Sequence, residues 1–205
     1  MLQAMSQHAE LINVGLNAAM VVIWAVYLQL FLSNHLRNIR STIHIDLGAA
    51  QGPSSRCLLT NLSSGAIYVQ GIVADLQSGD HSARTVITDR DEVSETDVND
   101  PMARTNRGTL HEGQTVDIGS LEDLVHRAKI RLNETWSSDA LDAVTITVVA
   151  LTGQGDRLVG ASKTFRAETA ADGVTFAADR VLTRQMGQAQ TRRNYSSLLR
   201  DVSFS

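Results

Sequence analysis

The residues able to do chemistry are scattered along this chain. His111 and Glu112 are adjacent, but neighbours on a strand point to opposite faces, and no second histidine completes an HExxH pair. The remaining histidines lack the spacing of a metal set, and His126 falls on the polar side of a predicted helix. Cys57 is the only cysteine. In "SRCLLTN" it reads as a small buried hydrophobe, and one thiol makes neither an internal disulfide nor a multi-cysteine zinc site. "TGQGDRLVG", residues 152–160, has the outline of a phosphate loop. Its glycines are wrongly spaced and no helix follows, so it reads as a turn. Ser64-Gly65 and Ser120 lack the nucleophile-elbow pattern. The acidic run "DRDEVSETDVNDP", residues 89–101, lacks the glycine and terminal glutamate of an EF-hand loop. It reads as an exposed, variable contact loop. The expectation is a non-enzymatic chain with no catalytic residue, no cofactor and no metal.

Bulk composition agrees. The chain has 205 residues, 43% hydrophobic and 20% charged, with a net charge of −4. That is a folded protein without a nucleic-acid footprint. Aromatic residues are only 4%, which speaks against a surface for stacking bases or sugars. The lone cysteine favours a reducing compartment. Asn61, Asn133 and Asn194 each open an Asn-x-Ser/Thr triplet, which has no consequence for a cytoplasmic domain.

The strongest element is "LINVGLNAAMVVIWAVYLQLFL", residues 11–32, which carries no formal charge. As a helix it extends roughly 33 Å, against a hydrocarbon core of about 30 Å. A signal peptide would need a basic start and a small-x-small cleavage site; residues 1–10 hold no Lys or Arg. Apolar residues all around the helix, with Trp24 and Tyr27 near one end, speak against a buried core helix. The segment therefore reads as a transmembrane helix. Arg37 and Arg40 follow it and no basic side chain precedes it. The positive-inside rule then puts the N-terminus outside and the rest in the cytoplasm. Arginines far outnumber the two lysines, Lys129 and Lys163, a bias common in GC-rich bacterial genomes, so the membrane expected is a bacterial inner membrane.

Asn13, Asn17, Met20, Trp24, Tyr27 and Phe31 step by four, three, four, three and four residues. That spacing keeps them on one stripe of a helix. Polar side chains in lipid tend to face protein, at about 1 kcal/mol or less per contact. The stripe is read as a seam for self-association or for a membrane-protein partner, in addition to the lipid bilayer itself; the alternative is polarity tolerated near the outer interface, since Asn13 is only one turn in.

After residue 40 the period changes to two. "STIHIDLG", "RCLLTNLS", "AIYVQGIVADLQ", "ARTVITD", "GTLHEGQTVDIG", "DAVTITVVALT", "LVGASKTFRA" and "GVTFAA" all read as strands separated by turns. "SLEDLVHRAKIRL" is the clearest helix of this part. Ser120 is its N-cap, Leu121, Leu124, Val125, Ala128 and Leu132 form its apolar face, and Glu122, His126 and Lys129 lie away from it.

The predicted fold is thus a single transmembrane α-helix followed by a mainly-β domain, an antiparallel immunoglobulin-like β-sandwich with one short amphipathic helix. The predicted organisation is an extracytoplasmic N-terminus at 1–10, the transmembrane and juxtamembrane part at 11–36, the sandwich at 41–178 and a basic polar tail at 179–205. The tail carries Arg180, Arg184, Arg192, Arg193 and Arg200. It can form a weak surface helix near anionic lipid or fray as a terminus. The expected role is a membrane-anchored interaction or scaffold module, or else an accessory subunit of a membrane transport, channel or signalling complex.

Overall fold

A 37-residue helix, α1 (Leu2–Asn38), opens the chain. Its sequence contains no proline and is rich in Leu, Ala, Met and Gln, all good helix formers. At about 1.5 Å per residue α1 exceeds the roughly 30 Å of a hydrocarbon core. The part apolar enough to cross a membrane, by length and composition, is Ile12–Ser33, and none of it is buried. The helix also takes in all but the first of residues 1–10, which the sequence set apart as a short leading segment. In this computed structural model the described residues are 2–38, 41–48, 55–89, 105–133, 140–152, 157–170 and 173–203. The chain divides into two units, Met1–Arg40 and Ser41–Ser205.

The second unit is built on two antiparallel sheets. The smaller contains β1 (Ile43–Leu47), β2 (Arg56–Asn61) and β6 (Thr115–Ser120) in the order β1-β2-β6. The larger contains β3 (Ile67–Ser78), β4 (His81–Val86), β5 (Gly108–Leu110), β7 (Ala143–Thr152), β8 (Leu158–Ala170), β9 (Gly173–Ala178) and β10 (Arg184–Met186). Its order is β10-β8-β7-β3-β4, with β5 also on β3 and β9 also on β8. Strands are divided between the sheets more unequally than in an immunoglobulin unit.

Period-two patterning sets the core. Ile43 and Ile45 of β1, Leu59 of β2, and Val144, Ile146, Val148 and Ala150 of β7 all enter one cluster with Phe165 of β8. On β3 the pattern changes parity. Ile67 and Val69 face this core, and so do Ile72, Ala74 and Leu76. The register slips between Val69 and Gly71, opposite Ala150 and Val149. That bulge absorbs one residue, so an odd-numbered apolar set and an even-numbered one reach the same face. At the β3–β4 turn, Gly79 supplies the positive φ (+56) that a two-residue hairpin needs at its first central position.

The helix α2 (Leu121–Leu132) follows β6 directly. The Ser120 Oγ accepts from the Asp123 amide at 3.1 Å, and Asn133 ends the helix with a left-handed φ of 54. Asp123 pairs with Arg127 one turn on, at 2.8 Å. Leu121, Leu124, Val125 and Ala128 join the core. Lys129, expected on the open side, is buried together with Arg127. The helix packs on β3, β4 and β6 together, so its flanks are covered as well as its apolar face. Long basic side chains tolerate that by laying their stems on apolar surface.

Among the described residues the domain holds two α-helices, against the one expected. The stretch read as a tail supplies β10, paired with β8, and then α3 (Gln188–Ser203). Tyr195 and Leu199 of α3 form a second apolar cluster with Val73, Val86, Val149 and Met186, on the outer face of the larger sheet. That sheet is therefore covered on both sides over part of its area.

Candidate functional site

Along α1 the unbroken helix puts Asn13, Asn17, Met20, Trp24, Tyr27 and Phe31 on one stripe, and all six side chains are exposed. Trp24 and Tyr27 meet edge to face, with ring centroids 6.1 Å apart. Arg37 belongs to the last turn of α1, and Arg40 lies outside the described residues.

The motif residues of the domain do not converge. His111 and Glu112 sit on the turn between β5 and β6, not within a strand. His126 is exposed on α2. Cys57 is fully buried, and burial pushes its thiol up to about 12, with the Asp117 carboxylate adding to the effect. The acidic run lies outside the described residues except for Asp89, which bridges to Thr105. Among the described residues no group of three or more His, Cys, Asp or Glu could hold a metal ion.

A different set of residues does converge, on the outer face of the larger sheet beside α3. There a groove of about 540 Å³ opens over β3, β4, β7, β8 and β10. Antiparallel register lays its floor in rows. Val73, Thr147, Ser162 and Arg184 stand side by side on four strands. The next row carries Arg84, Asp75, Thr145 and Thr164. Paired residues in such a ladder point the same way. Met186 is in the cluster beneath α3, so Arg184, two residues earlier, faces the groove. Gln185 faces the opposite side.

Hydrogen bonds order this floor. The hydroxyls of Thr145 and Thr164 are 2.8 Å apart, and that of Thr147 is 3.4 Å from the Tyr195 hydroxyl. The Arg84 guanidinium donates to Asp75 and lies 5.1 Å from the centre of the Tyr195 ring. Burial works against the charge on Arg84, but the Asp75 bond outweighs it and raises the pKa of the guanidinium. At the rim, Arg166 Nε donates to Asp179 at 2.7 Å, and Arg180 comes within 3.8 Å of the same carboxylate. The Arg166 bond holds Asp179 below the usual carboxylate range. On the reverse side of β8, Lys163 is buried and donates to Asp46 at 2.8 Å and to the Val181 carbonyl at 3.3 Å.

Of the groove residues the sequence marks Arg180 and Arg184, and those as part of a basic tail near anionic lipid rather than of a groove. The signal that existed was the alternation of Thr145, Thr147, Ser162 and Thr164 with core residues, and it looks the same as an ordinary wet sheet face. No family model, curated protein or solved structure matches this chain.

Proposed function

We propose that this chain is a single-pass membrane protein whose β domain is a non-enzymatic interaction or scaffold module. One observation carries the reading. The 22 residues Ile12–Ser33 form one apolar helix with no part buried. A water-exposed rod of that composition is unfavourable at about 25 cal/mol for each Å² of apolar surface, and lipid removes that cost. As a helix the segment pairs its own backbone N–H and C=O groups, as a spanning segment must. Two packed β-sheets with a shared core then form the module held at the bilayer.

The orientation proposed is N-terminus outside and domain in the cytoplasm, from Arg37 and Arg40 after the span and no Lys or Arg before it; the excess of arginine over the two lysines, Lys129 and Lys163, is what suggests a bacterial inner membrane. Protease added to sealed right-side-out vesicles is expected to leave the β domain intact until detergent opens them. Digestion without detergent reverses the orientation. Release of the full chain by alkaline carbonate removes the span.

The second reading, an accessory subunit of a membrane transport, channel or signalling complex, rests on Asn13 and Asn17. They place two carboxamides one turn apart within the apolar helix. Cysteines scanned along residues 12–33 are expected to crosslink with helical periodicity centred on that stripe. Even labelling around the helix removes the seam.

A further inference from the structure

We propose that the groove on the outer face of the larger sheet is a binding site for an oxyanion, the carboxylate or phosphoryl group of a small molecule, held by Arg184 and Ser162. The two carboxylates lining the groove are both engaged, Asp75 by Arg84 and Asp179 by Arg166. Opposite them stand donors that make no hydrogen bond or ion pair among the described residues. The Arg184 guanidinium and the Ser162 hydroxyl are direct register partners on β10 and β8. The carboxamide of Asn194, on α3, borders the same groove.

An acceptor is what such a set lacks. A guanidinium presents parallel N–H groups that match a carboxylate or phosphoryl oxygen pair, and an adjacent hydroxyl supplies a third donor. No free carboxylate stands beside Arg184 in the groove to offset its charge. One wall of the groove is also fixed. Tyr195 is buried between α3 and the sheet and touches both Thr147 and Arg84, so α3 forms a fixed wall. A volume of about 540 Å³ falls within the range of small-molecule sites, roughly 300–1,000 Å³. This inference goes beyond the anchoring role and is independent of it, because the groove lies wholly within the Ser41–Ser205 unit.

The test is calorimetric titration of the full chain in a neutral detergent with sodium phosphate and, separately, with sodium citrate, each at constant ionic strength against sodium chloride. Saturable binding of either anion is expected, and the tighter of the two tells a phosphoryl site from a carboxylate site. Arg184→Gln should weaken it about tenfold or more, as loss of a charge-assisted pair does. Arg184→Lys should fall between, and Ser162→Ala should weaken binding severalfold. Arg200→Gln, which removes an exposed α3 charge outside the groove, should leave it unchanged. Melting curves of the variants should match the parent, since Arg184 and Ser162 have no partners to lose. The proposal is overturned if neither anion binds above the chloride control, or if Arg184→Gln and Arg200→Gln weaken binding equally.

Discussion

The Gln185 carboxamide is hydrogen-bonded at both ends to the backbone of Ile43, 142 residues away in sequence. Its Nε2 donates to the Ile43 carbonyl at 2.6 Å, and its Oε1 accepts from the Ile43 amide at 3.1 Å. Thr183 repeats the device two residues on. Its Oγ1 accepts from the Ile45 amide at 2.9 Å and lies 3.2 Å from the Ile45 carbonyl. Side chains thus stand in for a neighbouring strand along the open edge of β1. An uncovered edge would be a template for pairing with another chain. The closure also ties the first strand of the domain to its C-terminal segment, so β1, β10 and α3 depend on one another.

Gln185→Leu is therefore expected to destabilise the domain by about 1 kcal/mol, because it leaves the amide and the carbonyl of Ile43 without their side-chain partner. Gln185→Glu keeps the acceptor for the Ile43 amide but, ionised at neutral pH, has no donor for the Ile43 carbonyl, so it should not restore the second bond. Hydrogen exchange separates this from a general loss of stability. The amides of Ile43 and Ile45 should lose protection first in Gln185→Leu and Thr183→Val, while those of β7 follow only the global change. Uniform loss across both sheets would refute the edge role.

Asp46 gives the domain a defined acid dependence. Burial works to raise its pKa, but the Lys163 bond, the Leu47 amide and the Lys163 charge together hold it below its ordinary 3.8. A carboxylate depressed in the folded state contributes stability that is fully present above its unfolded value, and that is lost as pH falls through the folded value. Asparagine resembles the protonated acid. Wild type and Asp46→Asn should therefore differ in melting temperature above pH 3.8 and converge below it. Asp46 is itself more than half exposed, so the difference is that of a screened pair rather than of two buried charges. A gap that persisted undiminished at about pH 2 would show that the pair is not its source.

How far the sequence could be read depended on how wide each buried stripe is. β1 and β7 were legible because every second residue is apolar, and α2 because Ser120 marks its start and five apolar residues share a face. The C-terminal helix was not. Its fully committed positions, Thr191, Tyr195 and Leu199, lie one per turn among Arg, Gln, Asn and Ser. So narrow a seam gives little apolar periodicity, and threonine does not register as core. A signal was nevertheless present on the sheet. Ile72-Val73-Ala74 and Val148-Val149-Ala150 are consecutive apolar runs, and a strand exposed on one face would alternate there. Both runs require a cover on the outer face, and α3 is that cover. The groove followed the same limit, since its chemistry comes from strands whose order in the sheet no local pattern encodes.

Cys57 should be silent toward thiol reagents in the folded protein. It is fully buried, and its thiol is pushed up to about 12, so almost no thiolate exists at pH 8. Maleimide labelling of the native chain is expected to be slower than that of the denatured chain by orders of magnitude, and to accelerate only as β2 opens. A cysteine introduced elsewhere can then be labelled alone, as the scan along residues 12–33 requires. Rapid native labelling would mean that the core between the sheets is open.

The seat of α3 rests on two glycines, and they are predicted to respond unequally to alanine. A Cβ on Gly71 would stand 2.5 Å from Leu199 Cδ2, the far end of a flexible side chain that can rotate away, and 3.3 Å from Thr88 Oγ1, a looser contact than either that Thr191 makes with Gly160. On Gly160 it would meet Met186 Cε at 2.8 Å and Thr191 Oγ1 and Cγ2 at 3.0 and 3.1 Å. Thr191 cannot yield as readily. It is β-branched, fully buried, and its hydroxyl donates to the Gly187 carbonyl at 3.0 Å, which fixes its rotamer at the start of α3. Gly160→Ala should therefore push the first turn of the helix off β8 and cost about 1–3 kcal/mol, the usual penalty of overpacking. Gly71→Ala should cost less. Limited proteolysis reads the mechanism directly, because only Gly160→Ala should expose the bonds around Gly187–Arg193 to trypsin while the sheet remains protected. Equal effects at the two glycines would place the tight contact somewhere other than Thr191.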